Sequence, residues 1–127
     1  MAPEISPKVA HFLVTNIDSV GELEALLLLH GQPDKRWTYR EVADRLYTTE
    51  EQARAFLRKL CARGIASSDA DNVQYQPADP VKARTIDEVV RIYPLAIVPV
   101  TNLIHKKGHR SIQELADAFK FNKEDDE

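Results

Sequence analysis

At 127 residues, 43% hydrophobic and 29% charged, the chain has an ordinary globular composition and is long enough to bury a core. No apolar run approaches the roughly 18 residues of a membrane span, and MAPEISPKVAHFLV lacks the regions of a secretion signal. A cytoplasmic protein without a membrane partner is therefore expected. The single cysteine, Cys61, excludes an intrachain disulfide, and a net charge of −3 argues against a generally polyanion-seeking surface.

Charge is segregated along the chain. Residues 124–127 are all acidic. Residues 35–64 carry eight cations (Lys35, Arg36, Arg40, Arg45, Arg54, Arg58, Lys59, Arg63) against four acids (Glu41, Asp44, Glu50, Glu51).

The chain opens on an N-terminal arm, residues 1–17, in which Ser6-Pro7 starts a short helix with Ile5, Val9, Phe12 and Leu13 on one face. Such an arm either packs on a partner subunit or completes its own core. Ser19 and Glu22 have capping-box spacing ahead of Leu23, Leu26, Leu27 and Leu29, and Gly31 is placed for a left-handed cap. Thr38 and Glu41 then predict a second helix bearing Val42, Ala43 and Leu46, with Trp37 packing just ahead of it. Thr48 and Glu51 predict a third, over about Thr49 to Arg63. Its buried face would be Ala53, Phe56, Leu57, Leu60 and Cys61, and its outward face Glu51, Arg54, Ala55, Arg58 and Ala62.

Only Leu46-Tyr47-Thr48 separates the two helices, a helix-turn-helix spacing. After Gly64, residues 65–67 and 73–76 alternate as strands around a turn at 68–72. The fold class is thus mainly α with a small β-hairpin: a winged helix-turn-helix over residues 18–78, followed by apolar C-terminal helices.

In that extension, residues 79–121, Ile86, Val90, Tyr93, Ile97, Val100 and Ile104 recur in steps of four and three, a heptad seam crossed by Pro94 and Pro99. The surplus of apolar surface favours a homodimer interface over a segment wrapping its own domain. Beyond a basic linker at 106–110, Ser111 and Glu114 cap a last helix bearing Ile112, Leu115, Ala116 and Phe119. Residues 122–127 form an acidic tail expected to be disordered.

Three stretches carry a family resemblance: Ser19–Leu29, the WTYREVADRL of Trp37–Leu46, and Ala116-Asp117-Ala118-Phe119. Over about residues 17–121 the chain resembles a group of small bacterial winged-helix proteins and, more loosely, the MarR-type regulators. The resemblance implies dimerisation through terminal helices and a wing that touches DNA. Here the wing tip departs from the usual basic pattern, because it holds Asp69 and Asp71.

Function is expected to follow the fold: a dimeric transcriptional regulator binding double-stranded DNA. Gln52, Arg54 and Arg58 would face base edges, arginine donating to guanine and glutamine pairing with adenine. Arg36, Arg40 and Arg45, with Thr38, would hold the backbone. Glu50, Glu51 and the wing aspartates oppose phosphate, and the glutamates could instead neutralise Arg54 and Arg58. The alternative is a winged-helix module that binds a protein partner without reading DNA sequence.

An enzyme is not expected, since the chain has no Gly-rich phosphate loop, nucleophile elbow or HExxH, and no cofactor is implied. His105 and His109 have a metal-ligand spacing, but Gly108 breaks the helix and the flanking cations repel a metal. Cys61 is a redox-sensor candidate only if exposed and acidified, and its spacing buries it.

Overall fold

The computed structural model describes residues 5–105, a mainly helical chain with one small antiparallel sheet. The elements are α1 Pro7–Asn16, α2 Val20–Gly31, β1 Trp37–Thr38, α3 Tyr39–Leu46, α4 Glu50–Ala62, β2 Ala66–Ser68, β3 Asn72–Tyr75 and α5 Pro80–Ile92. A 3-10 turn, Tyr93–Leu95, leads into α6, helical over residues 97–105. The basic linker, the last expected helix and the acidic tail lie outside the described residues. No described helix is long and apolar enough to cross a membrane.

Side-chain caps fix the helix starts. The oxygens of Ser6, Ser19, Thr38, Thr49 and Asp79 accept from the backbone N–H groups of Val9, Glu22, Glu41, Gln52 and Lys82. Each satisfies one of the donors that a first helical turn leaves open. At α3 the box is complete: the Thr38 N–H donates to Glu41 Oε1 at 2.9 Å, and the Glu41 N–H donates to Thr38 Oγ1 at 3.1 Å.

The cap of α4 corrects the sequence reading by one residue. Thr49, not Thr48, caps the helix, and Gln52, not Glu51, closes the box. The cause lies at the end of α3. Tyr47 turns left-handed (φ 55°, ψ 44°), and the Thr48 N–H bonds back to the Ala43 carbonyl at 3.0 Å. That closure is a Schellman-type C-cap. It consumes Thr48, so the next helix starts one residue later. A second correction concerns Gly31: α2 ends at Gln32 with φ −137° and a Gln32 N–H to Leu29 carbonyl bond of 3.2 Å, without a left-handed glycine. Gly64 does supply a left-handed turn after α4, with φ +72°.

The completed box has a pH signature. The Thr38 N–H, and after it Lys35, hold the Glu41 carboxyl below the ordinary glutamate range. The unfolded chain then binds the proton more readily than the folded one, so stability rises with pH across that window. The contribution is present above the ordinary glutamate pKa and lost as pH falls through the lowered one. NMR titration should find Glu41 more acidic than a free glutamate, and Glu41→Gln should remove its share of the acid limb. A Glu41 titrating at or above the ordinary value would contradict the box.

The strands form one sheet in the order β1-β3-β2. Trp37 pairs with Val73 and Thr38 with Asn72, while Ala66, Ser67 and Ser68 pair with Tyr75, Gln74 and Val73. The hairpin was legible in the sequence, but β1 was not, because two residues are too short to alternate. Trp37 is therefore both the residue ahead of the α3 cap and a strand residue bonded to the hairpin.

One core runs through every element. Val9, Phe12, Leu13 and Ile17 join Leu23, Leu26, Leu29, Trp37, Leu57, Leu60 and Ile65, and Ile86, Val89 and Ile92 close the cluster. Each large apolar side chain buried this way contributes roughly 1.5–3 kcal/mol. The N-terminal helix thus completes its own core. Phe56 and Cys61 are only half-buried, and the Phe56 ring lies against Gly21, where there is no room for a Cβ.

The heptad seam is also corrected. Ile86, Val100 and Ile104 are buried in the chain's own core, Val90 and Tyr93 are half-buried against it, and only Ile97 is exposed. The 3-10 turn and the bend at Ala96 reset the helical phase between α5 and α6. Spacing counted across that break no longer marks one face. What stays outside is a short apolar patch: Leu95 at 60%, Ile97 at 51% and Val98 at 66% exposure.

Candidate nucleic-acid interface

The α3–α4 pair is built to hold α4 firmly from behind. Ala53, Leu57 and Leu60 are buried against the core, and small Ala43 on α3 lies in the same cluster. At the rear, Lys59 lies 3.2 Å from Asp18 and 3.7 Å from the buried Glu22, and Arg63 lies 3.4 Å from Asp18 and donates to the Thr15 carbonyl. Asp18, and after it the charge of Glu22, hold the Lys59 ammonium above the ordinary lysine value. This network fixes the orientation of α4 relative to α1 and α2.

The opposite face of α4 is open: Glu51, Arg54, Ala55, Arg58 and Ala62 are all exposed. Arg54 is positioned twice over. Its Nη2 lies 3.1 Å from Glu50, and its guanidinium sits 4.3 Å above the centre of the Tyr39 ring. The expected Glu50–Arg54 neutralisation is thus present. Arg58, with Tyr39, Arg54, Leu57, Cys61 and Ser68, lines a notch of about 130 Å³. Burial pushes the Cys61 thiol up, against a smaller opposing effect of Ser68, the opposite direction to the acidified thiol that a redox sensor uses.

Gln52 plays a role its spacing did not reveal. Its Oε1 accepts from the Thr48 hydroxyl and, at 3.5 Å, from the Thr49 N–H. Bidentate pairing with adenine needs that oxygen as an acceptor. Reading adenine would therefore open the cap, whereas the Nε2 donors remain available for an acceptor edge.

At the tip of the β2–β3 hairpin Asp69 is engaged. Its carboxylate accepts from the N–H groups of Asp71 and Asn72 at 3.1 and 2.9 Å and pairs with Arg36. The two backbone donors, and then Arg36, hold its pKa below the ordinary aspartate range. The feature read as a phosphate repellent is also the staple that closes the hairpin and ties it to the residue before β1.

Pairing redistributes the cationic excess. Lys35 bonds Glu41 at 3.1 Å, and Arg36, Arg54, Lys59 and Arg63 also have carboxylate partners. Among the described residues, Arg40, Arg45 and Arg58 are the cations of this region with no carboxylate within 4.0 Å. Arg45 lies 5.7 Å from the Trp37 ring centre, and Lys35 lies 4.5 Å from it. Thr38 is exposed but committed to its cap. Among the described residues no cluster of three or more His, Cys, Asp or Glu could hold a metal. His105 is exposed, and His109 lies outside the described residues.

Compared with family models, curated proteins and solved structures, the chain finds no match.

Proposed function

We propose that this chain is a winged-helix protein that binds double-stranded DNA and acts as a transcriptional regulator, with α4 as the recognition helix and β2–β3 as the wing. The observation that carries the reading is the order of parts around α4. A short turn joins α3 to α4, a hairpin follows and pairs with a strand preceding α3, and the outward face of α4 holds Arg54 and Arg58. A helix mounted this way enters the major groove with its N-terminal half. Arg54, held flat by Tyr39, donates to guanine, and Arg58 one turn on contacts a base edge or a phosphate. Arg40 and Arg45 contact the backbone. NMR mapping with a random-sequence duplex tests the assignment: shifts should concentrate on α4, the turn before it and the hairpin. Shifts confined to α5 and α6 would contradict it.

Arg36 supports binding only if its charge is released. Asp69→Asn keeps an oxygen for the Asp71 and Asn72 N–H groups and removes the charge that occupies Arg36. It is expected to raise duplex affinity by about 3- to 10-fold and to steepen the salt dependence by about one unit. Fluorescence anisotropy at several salt concentrations reads both. Unchanged affinity would place the wing tip away from DNA.

The second reading, a protein-interaction module, is favoured by the patch of Leu95, Ile97 and Val98. A partner on this patch is by itself compatible with DNA binding by α4; the two readings part on whether the chain reads DNA sequence. A homodimer would use this patch rather than the full heptad seam, which lies largely inside the protomer.

A further inference from the structure

Tyr47 is the most exposed large hydrophobic side chain among the described residues, at 95%. It is also the only non-glycine residue among them with positive φ. Both properties are unfavourable to the free protein. The left-handed region places Cβ too near the following carbonyl oxygen, and glycine, or less often asparagine, normally occupies it. A fully exposed aromatic ring contributes almost no burial. The backbone here is specified by the α3 closure, in which the N–H groups of Tyr47 and Thr48 bond the carbonyls of Asp44 and Ala43. Any residue at 47 is held in that conformation, and glycine would serve the turn better. The tyrosine side chain therefore gives the fold nothing that this structure records.

Its position gives it another use. It projects from the turn between α3 and α4, two residues before the Thr49 cap and one turn ahead of the outward face of α4. Along the chain around it the exposed side chains are all charged or polar, Asp44, Arg45, Thr49, Glu50, Glu51 and Gln52, while Leu46 packs on the core. Such a surface suits a wet nucleic-acid edge, with Arg45 the nearest cation in sequence, better than a hydrophobic protein groove. We infer that Tyr47 is a DNA contact, its ring packing on a deoxyribose at the groove edge and its hydroxyl donating to the adjacent phosphate. This inference rests on the DNA-binding reading and adds a residue to it. A rigid phenol with two side-chain torsions loses little entropy on contact. It would set how far the recognition helix descends into the groove.

Two substitutions separate contact from fold. Tyr47→Gly removes the ring and relieves the backbone. It should raise Tm by about 3–6 °C while weakening duplex binding about 10-fold. Tyr47→Phe keeps the ring and the strain, and should leave Tm unchanged while weakening binding about 3-fold through the lost hydroxyl. Both are measured by thermal unfolding and by anisotropy against the duplex pool that retains the wild-type protein. Wild-type affinity in Tyr47→Gly would overturn the contact while leaving the DNA-binding reading intact. A lower Tm in Tyr47→Gly would show that the ring serves the fold, and would overturn the premise. If the wild-type chain retains no duplex at all, the DNA-binding reading fails and the Tyr47 contact falls with it.

Discussion

Trp37→Ala is expected to remove about 3–5 kcal/mol of folding stability, the range for emptying a large aromatic site in a packed core. Trp37 is 1% exposed and touches several functions at once. It pairs with Val73 on β3, precedes the Thr38 cap of α3, and underlies the cationic groups of Lys35 and Arg45. Each cation contact contributes on the order of 0.5–1 kcal/mol at a surface site. A domain of this size has about 5–15 kcal/mol in total, so alanine should leave it marginal, and urea unfolding reads the change directly. Trp37→Phe is the informative companion. The indole Nε1 is buried and has no hydrogen-bond partner among the described residues, so phenylalanine forfeits no hydrogen bond. Its expected cost is only about 1–2 kcal/mol. If phenylalanine proves as costly as alanine, the indole N–H has a partner and the packing account of this residue is wrong.

The second large effect concerns binding. The Arg54→Ala, Arg58→Ala double variant should lose about 30-fold to 10⁴-fold in affinity for its preferred duplex. The Arg54–guanine pair is worth about 1–3 kcal/mol and the charge-assisted contact of Arg58, to a base edge or a phosphate, about as much, so the two together give roughly 2–6 kcal/mol. Folding should hardly change. Both side chains are exposed. The losses are the surface i,i+4 pair Glu50–Arg54 at 3.1 Å, worth about 0.3–0.5 kcal/mol, and the Arg54–Tyr39 ring contact, on the order of 0.5–1 kcal/mol. Of the single variants, Arg54→Ala should be the more damaging, because it also leaves Glu50 uncompensated beside the DNA. A duplex complex that survives the double substitution would remove α4 from the recognition role.

Much of the fold was legible because local signals agreed with the packing. Ser6-Pro7, Ser19 and Thr38 mark helix starts by capping chemistry that depends on neighbours in sequence. The leucines of α2 and the Ala53, Leu57, Leu60 stripe of α4 follow the helical repeat. The misreadings arose where two local rules competed or where a tertiary break intervened. Thr48 and Thr49 both have a suitable partner three residues on, and the choice fell to the C-cap of α3, which needs Tyr47 left-handed. The heptad from Ile86 to Ile104 was a true count, but the turn at Tyr93–Leu95 divides it between two helices.

The candidate site was legible as positions more than as chemistry. The outward placement of Arg54 and Arg58 follows from helical spacing. The Tyr39 platform beneath Arg54 and the Arg36–Asp69 staple join residues 15 and 33 positions apart, which periodicity alone does not bring together. The same holds for charge. Composition counts eight cations in residues 35–64, whereas the structure pairs five of them and leaves Arg40, Arg45 and Arg58.

That pairing puts a number on the central claim. The most direct measurement is a titration of the protein against a randomised duplex pool at several salt concentrations, with sequencing of the retained DNA. Arg40 and Arg45 on the backbone, with Arg58 where it reaches a phosphate, imply a log–log salt slope of about −2 to −3 per protomer, shallower than that of a strongly basic DNA-binding protein. The expected result is that slope with an enriched motif, and for a dimer two half-sites about one helical turn apart. A slope near zero, or retention without enrichment, would contradict DNA recognition by α4.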